Sequence, residues 1–442
     1  MATVPYAEAL QRLQTFGRLR QITMKRRDFI IKTSGVAAGS LSYSGLYAQV
    51  QKQIEPTVDQ KNYDVIVLGV GSMGSSACYH LAKRGFKVLG LEQFDIPHEL
   101  GSHAGQSRII RKAYGEGSDY VPLLEKAYKN WQTLESETGS QVYYKTGLAY
   151  FGAQNDPFLK TVKGSSEKYK IPLHNLTVEQ CDRKYPQFKL PDDFQRLEEP
   201  DAGFITPERS ILLYVEQAVL KGAVVRTKEK VLEWKREPSG SVTVITNRGT
   251  YKAGKLIITA GPWAGKMILS LASKLTITRQ AVAWVKPKKW DNFTLGKFPC
   301  WILENKEYDF YGFPILPVGT FAGPLGLKLA LHFPGADTTD PDSVNRNTKE
   351  SDEKLLIDFL NQFIPDGYES TLAMKTCLYT NSPDQDFIID YLSGYDNDVV
   401  FATGFSGHGF KFVSVVGEIL ADLAMNGSTP LPIGFLSAKR FG

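Results

Sequence analysis

Gly69, Gly71 and Gly74 stand in G-x-G-x-x-G spacing, with Ser72 and Met73 between the last two. Glycines so placed let a backbone turn tightly and approach a pyrophosphate at a helix N-terminus. The flanking segments are those such a turn needs. Tyr63-Asp-Val-Ile-Val-Leu-Gly69 is a short apolar, β-branched run, as a buried parallel strand should be. Residues 75–83 have helix-forming composition. Residues 86–92 read as a second strand ending on Glu92, an acid able to accept from ribose hydroxyls, with Gln93 behind it. Together these predict a bound dinucleotide, and the motif does not choose between NAD and FAD.

The C-terminal half carries a second set of reactive side chains. Leu325-Gly-Leu-Lys328-Leu-Ala-Leu-His332 alternates with period two, which predicts a strand with Leu325, Leu327, Leu329 and Leu331 towards a core and Lys328 and His332 on the other face. Ahead of it, Tyr311 puts a phenol beside a glycine, and Cys377 follows in Thr376-Cys377-Leu-Tyr-Thr380. Gly404-Phe-Ser-Gly407-His408-Gly409-Phe410-Lys411-Phe412 then leads into a helical pattern with Val416, Ile419, Leu420 and Leu423 on one face. Glycines around a histidine at a helix start expose backbone N–H groups, a natural site for an anion.

Positioning these groups takes a large scaffold. The chain has 442 residues, enough for two or three domains, and its 42% hydrophobic and 22% charged composition is that of a globular protein rather than a disordered or fibrous one; the strand–helix–strand order at the glycine motif makes the expected fold class α/β. The net charge of +5 and the lack of a basic, aromatic-interleaved stripe argue against nucleic acid. No apolar run is long enough to predict a stable membrane insertion. Cys78, Cys181, Cys300 and Cys377 lie far apart with no C-x-x-C pair, so neither a disulfide framework nor a metal site is expected. Lys255-Leu-Ile-Ile-Thr-Ala260-Gly261-Pro-Trp263 is a further strand running into a glycine turn, of the kind that returns the chain to the nucleotide domain in two-domain FAD enzymes. The expected division is an N-terminal extension with an export signal over residues 1–50. Residues 62–149, 205–275 and 368–440 then form the nucleotide domain, and residues 150–204 and 276–367 a substrate domain on a mixed or antiparallel sheet.

Residues 24–32 read Met-Lys-Arg26-Arg27-Asp-Phe-Ile-Ile-Lys, followed by a weakly apolar Gly/Ser/Ala stretch ending in Leu-Tyr-Ala48. This resembles the twin-arginine export signal of bacteria, with Met24 as the start and a periplasmic destination; the protein stays cytoplasmic if the signal is not used. Twin-arginine export carries folded proteins, which suits a chain that must first acquire a cofactor.

Several stretches are similar to the sarcosine oxidase and N-methyl-L-tryptophan oxidase family of flavoenzymes, amine oxidoreductases of the D-amino-acid-oxidase type. They are the glycine motif, Gly101-Ser102-His103, Ser107-Arg108-Ile109-Ile-Arg111-Lys-Ala-Tyr114-Gly-Glu-Gly, Tyr311-Gly-Phe-Pro, Gly326-Leu-Lys328, Thr376-Cys377, Phe387-Ile-Ile-Asp390 and residues 404–412. The resemblance implies a Rossmann-like FAD-binding domain and a monomer. At the flavin it puts Ser102, His103, Arg108, Ile109, Ala260, Gly261, Trp263, Gly407, Gly409 and Phe410. It makes Cys377 the sulfur linked covalently to the flavin, and sets Lys328 beside the ring to activate oxygen. Arg111 and Lys411 would clamp the substrate carboxylate, with Tyr311, His332 and His408 lining the pocket. One departure is visible: relatives often have two histidines and an acid where this chain has His103, Ala104, Gly105 and Gln106.

The implied reaction is oxidation of an N-methyl amino acid by hydride transfer to FAD and hydrolysis of the imine to amino acid and formaldehyde, with O2 reduced to H2O2. A carboxylate needs fixed positive donors, and Arg111 and Lys411 have no obvious acidic partner nearby in sequence. Two alternatives stand beside this reading. A periplasmic flavin dehydrogenase serving an electron carrier is disfavoured by Lys328. A non-catalytic flavin-binding protein is disfavoured by the joint presence of Cys377, Lys328, Arg111 and Lys411.

Overall fold

The computed structural model describes residues 62–305, 307–333 and 337–442. The twin-arginine reading lies outside them. One sheet has the strand order Val231–Arg236, Val242–Thr246, Thr250–Ile258, Asn62–Leu68, Val88–Leu91, Val224–Arg226, with Val399–Thr403 on the far side of Thr250–Ile258 and Ile388–Tyr391 beside it. Its centre is parallel. Val65, Ile66 and Val67 are fully buried: Val65 and Val67 pack with Ala77, Cys78 and Leu81 of the helix Ser72–Lys83, and Ile66 on the other face with Val231, Val242 and Val244 of the antiparallel strands. The helix Ser72–Lys83 starts directly after the first strand, as the glycine spacing predicts. At its first turn a Cβ on Gly74 would sit 1.9 Å from the Gly69 carbonyl oxygen, so only glycine allows the helix to come this close to the strand end.

A second sheet has the order Ser370–Asn381, Thr276–Lys286, Leu327–Phe333, Tyr308–Phe313, Cys300–Asn305, Leu148–Ala153, Phe194–Glu199, His174–Asn175. It is antiparallel except between Cys300–Asn305 and Leu148–Ala153, the mixed character expected. The helix Glu350–Phe363 covers one face with Leu356, Phe359, Leu360 and Phe363, an i, i+3, i+4 stripe that stacks on Trp301 and Phe310. Among the described residues no helix is long and apolar enough to cross a membrane.

One expectation is corrected. The segment from residue 368 does not return at once to the nucleotide domain: Ser370–Asn381 pairs with Thr276–Lys286 along its whole length and forms the edge of the second sheet. The two sheets lie in one compact unit, with Val65 and Val67 in the same apolar cluster as Tyr150, Leu197 and Phe313, while Ala149, Phe151, Trp301 and Leu329 form a second cluster under the helix Glu350–Phe363. The place of Ser370–Asn381 depends on long-range pairing that local alternation does not reveal. In the strand Leu327–Phe333, Leu327 and Leu329 face the core as expected, but Leu325 precedes the strand and is 40% exposed. The other face is buried too, with Lys328 only 1% exposed.

Candidate active site

Two cavities adjoin between the sheets. The larger, about 400 Å³, begins at the glycine turn and is lined by Gly69, Gly71, Ser72 and Met73, then by Glu92, Gln93, Ser102 and His103, and by Ala260, Gly261, Trp263 and Gly409. The smaller, about 70 Å³, is lined by Ile109, Arg111, Tyr311, His332, His408 and Lys411, and also by Glu116, Glu304 and Asp309. Arg108, Tyr379, Gly407 and Phe410 line both. Residues quoted from five distant stretches of sequence thus converge on one paired site. Gly407 is where the glycine loop meets Tyr379: its φ is +80°, and a Cβ there would stand 2.3 Å from the Tyr379 ring.

The larger cavity fits a dinucleotide. Glu92 is held at the turn by the backbone N–H groups of Val70 and Phe94, at 2.9 and 3.1 Å, and burial raises its carboxyl to about 7 against those donors. His103 Nε2 is buried and has no hydrogen-bond partner among the described residues, so it is free for a bound group. Burial, then the neighbouring His98 and Arg108, lower His103 to about 3 and keep it neutral. Arg108 is aimed by three carbonyls, those of Ser102, Ala104 and Ser107, at 3.0, 2.6 and 2.9 Å. Trp263 is fixed by donating its indole N–H to Asp342 at 2.7 Å.

The smaller cavity is an anion site with a built frame. Arg111 follows the short strand Arg108–Ile110, and Lys411 sits in the 3₁₀ turn Phe410–Phe412 before the helix Val413–Asn426; both are almost fully buried. Arg111 lies 4.5 Å over the Tyr114 ring and donates to the Glu116 carboxylate. Burial pushes Glu116 up, but Arg111 first, and Lys411 with it, hold it down at about 2. Lys411 Nζ donates to the His408 carbonyl at 2.6 Å and to the Tyr114 hydroxyl at 3.4 Å. Burial and the charge of Arg111 lower Lys411 to about 7. The Tyr114 hydroxyl donates a hydrogen bond to His408 Nδ1 at 2.6 Å, while His408 Nε2–H donates to the Gln385 carbonyl at 3.0 Å. Burial lowers His408 to about 3, so this neutral tautomer follows from its partners. His332 is likewise lowered by burial and lies 3.3 Å from the Tyr379 hydroxyl.

Three expected residues stand apart from both cavities. Gly74 serves packing at the turn. Lys328 points all its donors into the protein, at the carbonyls of Gly105 and Ser107 (2.5 and 2.7 Å) and the Ser107 hydroxyl (3.1 Å), and burial with Arg108 nearby pushes it well below its ordinary value. Cys377 lines a third cavity of about 220 Å³ with Ala104, Gly105 and Arg346. Burial raises its thiol, and the charges of Arg108, Lys328 and Arg346 oppose that rise. Sequence reasoning missed roles for Glu116, Tyr114 and Tyr379. Tyr379 had a signal, since it follows Cys377 at strand spacing and shares its face.

The model of the family described as FAD dependent oxidoreductase (DAO) matches residues 64–423. The chain is 36% identical over 381 residues to monomeric sarcosine oxidase of Streptomyces avermitilis, covering 86% of this chain and 97% of that one. It is 33% identical over 384 residues to N-methyl-L-tryptophan oxidase of Yersinia pestis, covering 86% and 100%. Among solved structures it resembles NikD, an amino acid oxidase of nikkomycin biosynthesis, with a TM-score of 0.74 and 25% identity over 85% of this chain and 97% of that one. The family match spans the glycine turn, both sheets and the Lys411 turn alike, and the cavity at that turn has the groups to hold FAD. The chain belongs to the DAO family of FAD-dependent oxidoreductases.

Proposed function

We propose that this chain oxidises N-methyl amino acids of the sarcosine or N-methyl-L-tryptophan kind, with O2 as acceptor and H2O2 and formaldehyde as products. The observation that carries the reading is the placement of Arg111 and Lys411, two buried cations, in a small cavity that shares Arg108, Tyr379, Gly407 and Phe410 with the dinucleotide cavity. When bound, FAD supplies the hydride acceptor for the C–H bond next to the substrate nitrogen, and water then hydrolyses the resulting imine. The chain's own work is binding and orientation. Arg111 and Lys411 hold the substrate carboxylate by charge-assisted hydrogen bonds. The Lys411–Tyr114–His408 chain fixes the lysine, and neutral His332 and His408 line the cavity without adding charge.

Covalent attachment of FAD through Cys377 is part of this proposal, supported by three cations around a buried thiol. So are a monomeric state and export in folded form through Arg26 and Arg27. The test is incubation of purified, flavin-loaded protein with sarcosine and N-methyl-L-tryptophan in air. The expected result is oxygen uptake with formaldehyde and peroxide released in equal amounts. A flavin-loaded protein that oxidises neither these nor any other N-methyl amino acid, or that reduces an added carrier dye but not O2, overturns the reading.

A further inference from the structure

Cys300–Asn305 and Tyr308–Phe313 form a hairpin in which Glu304 faces Asp309 and Ile302 faces Tyr311. Strand alternation puts these four side chains on one face, and all four line the smaller cavity. Two carboxyl groups are therefore set cross-strand in the wall of the cavity that holds Arg111 and Lys411. Glu304 is only 7% exposed, and the charged groups acting on it are Asp309, Asp156 and Glu116, all acidic. Asp156 is occupied as the N-cap of the helix Pro157–Tyr169, accepting from Leu159 N–H at 2.9 Å, and Glu116 is held by Arg111. Among the described residues neither Glu304 nor Asp309 forms an ion pair.

Like charges facing each other across a hairpin are destabilising, and a buried carboxyl without a partner is costly. Burial, and after it the Asp309 carboxyl, raises Glu304 well above the carboxylate range. A glycine-like substrate would bring no cation to this acid pair. We propose, resting on the function above, that the preferred substrate carries a cation on its side chain, received by Glu304 and Asp309 while Arg111 and Lys411 hold the α-carboxylate. The substrate class is then N-methyl diamino acids. The cavity volume of about 70 Å³ favours a short side chain.

The test compares N-methyl-2,4-diaminobutyrate with N-methylnorvaline, which differ by an ammonium in place of a methyl, on the flavin-loaded enzyme. The expected kcat/KM ratio is at least tenfold in favour of the diamino acid, and the Glu304→Gln/Asp309→Asn double variant brings it towards unity. Equal use of the two substrates by wild type, or a preference that survives in the double variant, overturns the proposal. If no N-methyl amino acid is oxidised, the proposed function fails, and the acid pair is read separately from binding. 4-Aminobutyrate should then perturb the flavin spectrum at concentrations at least tenfold lower than pentanoate. Equal binding of these two contradicts the acid-pair assignment.

Discussion

Arg111 Nη2 donates to both carboxylate oxygens of Glu116, at 2.7 and 2.5 Å, so the arginine of the anion site reaches the substrate already paired. The partner lies five residues along the chain, within the Tyr114-Gly-Glu116-Gly turn, which corrects the expectation that Arg111 lacks one. Glu116 fixes the guanidinium over the Tyr114 ring and offsets its charge. Lys411 then supplies the uncompensated positive charge for a carboxylate, and it is the group that burial brings close to neutrality.

Carboxylate binding should therefore depend on pH near neutrality. Lys411 is depressed to about 7, so it is charged below that pH and loses its charge above it. Glu116 at about 2 stays ionised through this range, and His332 and His408, both lowered, stay neutral. The dissociation constant of acetate should rise as pH passes upward through about 7. In Lys411→Met it should be flat there and about ten- to a hundredfold weaker at the acid end, the value of one charged hydrogen bond of ~1.5–3 kcal/mol. Titration of the flavin spectrum with acetate checks both. A wild-type curve without slope contradicts the assignment.

Cofactor attachment gives a second expectation. FAD should stay with the wild-type polypeptide after acid precipitation, and Cys377→Ser should release it to the supernatant. With FAD exchangeable in that variant, its affinity should be greater above about pH 7 than below, because Glu92 must be ionised to accept from the ribose. Equilibrium dialysis across pH 6–8 measures this, and the dependence should vanish in Cys377→Ser/Glu92→Gln.

Much of this site was legible because its motifs are local. The glycine turn, its strand and its helix follow from spacing, and the 404–412 loop is marked by its glycines, of which Gly407 makes the close approach to Tyr379. What was not legible depends on partners far away in the chain. That Lys328 faces a loop rather than a cavity follows from where Gly105 and Ser107 come to rest, more than two hundred residues earlier. The place of Ser370–Asn381 at a sheet edge is a matter of pairing, and the facing of Glu304 and Asp309 is a matter of hairpin register. Neither has a local signature.

The Lys328 geometry changes what its removal should do. Lys328→Met should leave anaerobic flavin reduction largely intact and, with the lysine's donors all taken by Gly105 and Ser107, should slow reoxidation by O2 only through the loss of its charge. It should also lower stability, by ~0.5–1.5 kcal/mol for each hydrogen bond lost, since the Gly105 carbonyl keeps the Ser107 N–H and the Ser107 carbonyl keeps Arg108. Stopped-flow half-reactions and thermal unfolding separate the two effects. Equal loss in both half-reactions assigns Lys328 to structure or substrate binding.

Export has its own readout. With Arg26 and Arg27 intact, the yellow, folded protein should accumulate in the periplasm, and replacing both with Lys should hold it in the cytoplasm at full length. Cell fractionation with flavin fluorescence decides, and unchanged export by the double-Lys variant removes the basis for a twin-arginine route.

The central claim is that a carboxylate-clamped N-methyl amino acid is oxidised beside the flavin. Its most direct measurement is anaerobic mixing of flavin-loaded protein with sarcosine, N-methyl-L-tryptophan or an N-methyl diamino acid, and with the amide of each, while the oxidised flavin band is followed. At least one acid should bleach the band, its amide should do so about ten- to a hundredfold less efficiently, and Arg111→Ala should remove most of that difference. Bleaching by amide and acid alike, or by none of the acids, contradicts the account.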